Sequence, residues 1–197
     1  SFLQFFVPPV QIVGIGIIIG TLSAAMRTVD TRKVDTAGAS WRMIIPGVLA
    51  IPLGLVILYF ADAVFLKRLF SVIILTAAMP AIVAGKAKQR RLSDANSARA
   101  VQIALGAVGG MMNGSSSMPG PPLVFCSLFQ NWEKMHAHAL FARYFLATGV
   151  ATGIGLFVSG LFDWRAIVTG LCLTPIVWGG FAVGIRIRNR ISQKRFQ

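Results

Sequence analysis

The sequence has few acidic residues and places none of them inside its long apolar stretches. Asp and Glu together account for 6 of 197 residues, against 19 Lys and Arg, and only 13% of the chain is charged. Mean hydropathy is +0.72, and 55% of the residues are hydrophobic. A soluble domain of this length cannot hide so much apolar surface, so the composition predicts a membrane protein.

Cysteine is also scarce. Cys126 and Cys172 are the two thiols, and each lies alone in an apolar stretch. Two isolated cysteines form neither a disulfide framework nor the ligand spacing of a metal site. We therefore expect buried small residues at both positions, and no metal or cofactor.

Six stretches without charge dominate the chain. They cover residues 1–26, 43–61, 69–85, 100–130, 144–162 and 166–185. A membrane-spanning helix needs about 20 apolar residues, so five stretches fit one span each and the fourth is too long. This pattern predicts an all-α fold, a polytopic transmembrane helical bundle.

The basic residues cluster between these stretches. Most of the 19 fall in three short segments, 27–42, 86–99 and 186–195. Lys- and Arg-rich short loops mark the cytoplasmic side, so the pattern predicts a multi-pass protein of the cytoplasmic membrane with the lipid bilayer as partner. No soluble domain remains to present a basic face, which argues against nucleic acid.

The stretch GGMMNGSSSMPGPPLVF, residues 109–125, breaks the fourth block with glycines, prolines and serines. If all three basic segments lie on one side, this block must enter the membrane and return without crossing. We therefore predict a broken, re-entrant helix pair with limbs at 100–113 and 119–130. The alternative is one long tilted helix, kinked at 119–122, which leaves the basic tail outside.

The predicted break is also the candidate binding site. A half-helix that starts inside the membrane directs N–H groups and a partial positive charge at its surroundings, which suits an anion. The candidate substrate-binding residues are Asn113, Gly114, Ser115, Ser116, Ser117, Gly120, Pro121 and Pro122, with Arg143 as a second source of positive charge. Glycines at 106, 110 and 114 also suit close helix packing, and both roles are compatible.

An internal repeat accompanies the break. WRMIIPGVLAIP (41–52) matches WRAIVTGLCLTP (164–175) at five of twelve positions. In the predicted topology the two copies are inverted, an arrangement found in many transporters. We expect 1–85 to be the remainder of a first transmembrane repeat, 86–99 a basic cytoplasmic loop, and 100–197 a second repeat with a basic tail.

GAVGGMMNGSSSMPGPPLVFCSLFQNWEKMHAHALFARYFL resembles the second-repeat motif of the TauE/SafE sulfite exporter family. VPPVQIVGIGIIIGTLSAAM with WRMIIPGVLAIPLGLVI resembles the end of that family's first repeat. The resemblance implies a transporter of small anions such as sulfite, sulfonates or related organic acids. The family's first glycine-rich motif would precede Ser1 and a final helix would follow the tail, so we expect a partial sequence. Ser115–Ser117 stand where the family often has glycine.

Other functions remain as alternatives. A passive anion channel or a structural membrane subunit fits the same composition, and homo-oligomerisation stays open. Gly114-Ser115-Ser116 with His136 or His138 suggests an intramembrane serine protease, but no glycine follows the second serine to form an oxyanion turn. We predict no catalytic residue. Because carboxylates are absent from the apolar stretches, we expect downhill anion movement rather than proton or sodium coupling.

Overall fold

The computed structural model describes residues 9–60, 95–130, 132–161 and 164–190, and most of these residues lie in helices. The helices are α1 (Pro9–Asp30), α2 (Ala37–Phe60), α3 (Ala95–Ser116), α4 (Gly120–Phe129), α5 (Lys134–Val158) and α6 (Trp164–Arg190). The described part of the chain contains no strand, so the all-α prediction is confirmed. The predicted block 69–85 lies outside the described residues.

Three of these helices are long and apolar enough to cross a membrane. They cover Gln11–Asp30, Gly38–Phe60 and Lys134–Val158. Large apolar side chains on α2 and α5 point outward, with Leu49 72% exposed and Phe157 73% exposed. Such surfaces are stable in lipid rather than water. The described parts of the apolar blocks 1–26, 43–61 and 144–162 therefore lie in helices that can span a membrane by their length and composition.

Helices α2 and α3 pack backbone to backbone in parallel. A methyl group on Gly106 would lie 2.6 Å from the carbonyl oxygen of Met43, and one on Gly114 would lie 2.7 Å from that of Ile51. Both pairs advance by eight residues along both helices, so the helices run side by side in the same direction. The packing role proposed for the glycines is confirmed, since only a residue without a side chain fits at these positions.

Helix α5 completes the core between α1, α2 and α3. Tyr144, fully buried, donates its hydroxyl to the carbonyl of Gly106 over 2.6 Å. Gly149 faces Thr21 of α1 and Gly153 faces Ile17, so α5 runs antiparallel to α1. This arrangement brings the middle of α1 opposite the end of α3.

Helices α3 and α4 form a hairpin. The Gln130 amide, just after α4, donates to the carbonyl of Ala98 over 3.0 Å, and Gln102 donates to Gln130 over 2.7 Å. The end of α4 therefore returns to the start of α3, which confirms the broken helix pair and excludes one continuous kinked helix. That this pair enters and leaves the membrane on the same side stays a prediction.

The first limb of this hairpin is longer than the predicted 100–113. α3 has 22 residues, about 33 Å at about 1.5 Å per residue. It begins earlier because Ala95, Ala98 and Arg99 favour a helix. It continues past Asn113 because α2 supports the glycine-rich segment.

One end of the bundle carries a group of basic residues, namely Arg27, Arg32, Lys33, Arg99 and Lys134. We call it the basic end: α1 ends there, and α2, α3 and α5 begin there. Ile17 contacts Gly153 near the end of α5 and Ile18 contacts Gly170 near the start of α6, so the chain reverses between these helices. α6 therefore runs back toward the basic end. Which side of a membrane this end faces stays a prediction.

The two repeat segments each begin a helix with an exposed tryptophan. Trp41 is 63% exposed near the start of α2, and Trp164 is 71% exposed at the start of α6. Because α2 leaves the basic end and α6 returns to it, the segments run in opposite directions. An inverted repeat requires this orientation, and the equivalence of the two halves stays a prediction.

Candidate functional site

The helix break lies at Ser117, which adopts a left-handed backbone with φ of 59°. Its N–H still bonds to the carbonyl of Asn113 over 3.0 Å, so Ser117 closes the last turn of α3. Pro119 then caps α4, with φ of −78° and ψ of 0°. A left-handed residue at a helix end is usually glycine, so a serine here accepts backbone strain.

A cavity of about 440 Å³ opens beside the break, between α1, α5 and the end of α3. The share of liquid volume per water is about 30 Å³, so this space suits a small solute with several waters. Residues of α1 along the cavity include Gly16, Gly20, Thr21, Ser23 and Arg27; the break contributes Asn113, Ser117, Met118, Pro119, Gly120 and Pro121; and α5 contributes Phe145 and Gly149.

Four of the nine predicted site residues line this cavity, namely Asn113, Ser117, Gly120 and Pro121. Asn113 is 3% exposed and donates to the Thr152 hydroxyl over 3.2 Å, which fixes its amide in the wall. Ser117 faces α1 so closely that a methyl group on Gly16 would lie 2.9 Å from its hydroxyl oxygen.

The other residues of the break lie behind the cavity wall. Ser115 donates its hydroxyl to the carbonyl of Met111 over 2.8 Å, and Ser116 donates to that of Met112 over 2.8 Å. Gly114 packs on α2, and Pro122 is buried. These residues shape the end of α3 and the start of α4, and their role in substrate binding stays a prediction.

Arg143 lies outside the cavity lining and binds the turn between α1 and α2. Its guanidinium donates to the Thr36 hydroxyl and, over 2.7 Å, to the carbonyl of Val34. These contacts hold the turn against α5. No contact of the described residues tests the electrostatic role predicted for Arg143, and its observed contacts favour a structural role.

The start of α4 offers fewer backbone donors than a helix N-terminus normally does. The first N–H groups of a helix lack partners within it, and here they belong to Pro119, Gly120, Pro121 and Pro122. Proline has no N–H, so Gly120 supplies the single donor among the four. The helix dipole remains, but side chains must provide most of the hydrogen bonds to a ligand.

Sequence reasoning missed the wall formed by α1. Gly16, Gly20 and Ala24 recur every four residues, and Arg27 follows in the last turn of the helix. Small residues at this spacing indicate that another element packs closely against α1. The sequence alone does not indicate that this element is the helix break.

The serines of the break and the histidines of α5 lie at different heights in the bundle. Asn113 is bonded to Thr152, whereas His136 lies sixteen positions earlier on α5, about 24 Å at about 1.5 Å per residue. His138 is about 21 Å below the same level. The described structure therefore forms no serine–histidine dyad between these residues.

Comparison with known proteins gives one family. The model of the family described as Sulfite exporter TauE/SafE matches residues 1–197, the whole chain. No curated protein and no solved structure gives a significant match. With an all-helical fold, a broken helix and a cavity beside it, the chain belongs to the TauE/SafE sulfite exporter family of membrane transporters.

Proposed function

We propose that this protein is a carrier that moves a small anion across the cytoplasmic membrane through the cavity at the helix break. The proposal is supported by two features of the chain taken together. A family model of sulfite exporters covers the whole chain, and a cavity lies at the broken helix that the sequence marks as polar.

The chemistry of the cavity suits a small oxyanion or sulfonate. Thr21, Ser117 and Asn113, which carry hydroxyl and amide groups, are among its lining residues, and Arg27 adds a positive charge. Apolar walls from Ile17, Met112 and Phe145 complete it. An anionic head with a short alkyl group therefore finds both donors and apolar contact. Sulfite and short alkyl sulfonates are the substrates that we propose.

The placement of the cavity supports alternating access. It extends along α1 from Gly16 to Arg27, eleven positions or about 16 Å, and so runs from the helix break toward the basic end. By the positive-inside rule we assign that end to the cytoplasm. The protein would bind an anion from this side and release it on the other after α1 and the hairpin rearrange.

Flux measurements test the proposal. The full-length protein in liposomes should take up radiolabelled sulfite and ethanesulfonate with saturation, and internal unlabelled anion should accelerate uptake. Flux that rises linearly with concentration would show a channel instead, and the absence of protein-dependent flux of either anion would contradict transport of this class.

Lack of labelling by a fluorophosphonate probe at Ser115 or Ser116 is expected, since no enzyme activity is proposed.

A further inference from the structure

The positive charge on the cavity wall comes from α1. Arg27 is the charged side chain among the residues that line the cavity, and it lies half-buried in the last turn of the helix. Gly16, Gly20 and Arg27 are spaced by four and seven positions, so they share one face of α1. Gly20 leaves open space in front of that face, since a methyl group there would meet nothing within 4 Å, whereas Gly16 lies close to the Ser117 hydroxyl of the helix break. Arg27 lies at the end of the same face.

Thr21 adds a hydroxyl to the same wall. Its Oγ1 is buried, and within the described residues it has no hydrogen-bond partner. It lies against Gly149, where any side chain atom on the glycine would overlap it. A buried hydroxyl without a partner is costly, so a ligand or water that reaches it from the cavity would stabilise this site.

The helix break cannot supply all the hydrogen bonds that a bound anion needs. Its four leading backbone positions carry three prolines, which leaves the N–H of Gly120. The amide of Asn113 already donates to Thr152. A bound anion therefore depends on side chains of the opposite wall for most of its hydrogen bonds.

We propose that Arg27 and Thr21 form the anion-recognition element of the transport site, with Arg27 selecting for negative charge and Thr21 donating to a substrate oxygen. The inference rests on the proposed function and adds residues to it. A guanidinium carries five N–H donors, so it serves a ligand while keeping contacts within the protein. It also pairs with the oxygens of a sulfite or sulfonate group more strongly than a neutral donor does.

Concentration dependence of sulfite uptake tests this in the full-length protein reconstituted in liposomes. R27Q should raise KM about tenfold or more while retaining most of Vmax, because a charge-assisted contact is lost. R27K should restore part of the affinity. The matched control is R32Q, which removes an exposed charge from the same basic segment and should leave KM within about twofold of wild type.

Thr21 has its own pair of variants. T21V keeps the shape and removes the hydroxyl, so KM should rise about fivefold, whereas T21S keeps the hydroxyl and should stay close to wild type. If R27Q fails to fold, the KM values of R27K and T21V test the inference instead. An unchanged KM in both of these variants overturns it.

The possible failures are distinguishable. Wild-type protein without saturable uptake of sulfite or ethanesulfonate overturns the proposed function and this inference together. If the wild type shows saturable uptake and R27Q has the same KM as the wild type, only the inference is overturned. An equal rise of KM in R27Q and R32Q also overturns it, because the effect would then come from general surface charge.

Discussion

Gly110 of α3 lies directly against the carbonyl of Gly47 of α2, so that any side chain at position 110 would overlap the neighbouring backbone. The contact is the centre of the parallel α2–α3 pair, and the hairpin at the cavity is built on this pair. The position of the helix break therefore depends on a contact between two glycines that do not line the cavity.

Substitution of that glycine should destabilise the protein. We expect G110A to lower the free energy of unfolding by about 1–3 kcal/mol or more, because the two helices must separate to admit a methyl group. Thermal unfolding of the purified protein in detergent measures this. G179A is the control, since a methyl group there meets nothing within 4 Å. Equal melting temperatures in the two variants would contradict the packing assignment.

The serine at the break combines backbone strain with a polar function. S117G should stabilise the protein by about 1 kcal/mol, because glycine adopts a positive φ without cost. S117A keeps the strain and should not stabilise it. Both variants lose the hydroxyl that faces the cavity, so both should weaken anion uptake. Stabilisation without any loss of uptake in S117G would show that the hydroxyl has no part in transport.

Arg143 should matter for stability rather than for substrate affinity. R143Q removes the contacts to Thr36 and Val34 and should cost about 2 kcal/mol of unfolding free energy, with KM for the anion unchanged. T36V breaks one of the same contacts without removing charge and should lower the melting temperature less. A rise of KM in R143Q that T36V does not reproduce would instead assign Arg143 to the substrate.

The hairpin makes a prediction about membrane sidedness. In a C172S background, which removes the exposed native thiol, R99C and M135C should react with a membrane-impermeant maleimide from the same side of sealed vesicles. S159C, at the other end of α5, should react from the opposite side. Labelling of R99C and M135C from opposite sides is incompatible with a re-entrant pair.

Charge-free length and helix breakers predicted the helices well. The central parts of α1, α2 and α5 follow blocks whose apolar content favours a helix in a bilayer, whereas α2 begins six residues and α5 ten residues before its predicted block. The break between α3 and α4 follows from Pro119 and its neighbours, which cannot continue a helix ladder. These features are local, so they can be read from the sequence without knowledge of the fold.

Only one wall of the candidate site, the helix break, could be predicted from the sequence. Asn113, Ser117, Gly120 and Pro121 belong to the break itself, but the opposite wall belongs to α1, almost one hundred residues earlier. The sequence shows that α1 has a face of small residues without showing what packs there. Similarly, the position of Arg143 at the start of an apolar block suggested a substrate charge, while its partner Val34 lies 109 residues away.

The most direct test of the cavity as the transport path is steric. Gly20 lines the cavity, and a side chain added there meets nothing within 4 Å, so G20L should fill the space without disturbing the fold. Leucine also favours a helix over glycine by up to about 1 kcal/mol, which should preserve or raise the melting temperature. G179L is the control, since it makes the same change at an exposed position of α6.

Saturable sulfite uptake into liposomes should therefore be measured for the wild type, G20L and G179L at equal amounts of folded protein. We predict that G20L loses uptake while G179L retains it. If a folded G20L variant takes up sulfite as fast as the wild type, the claim that the anion passes through this cavity is contradicted.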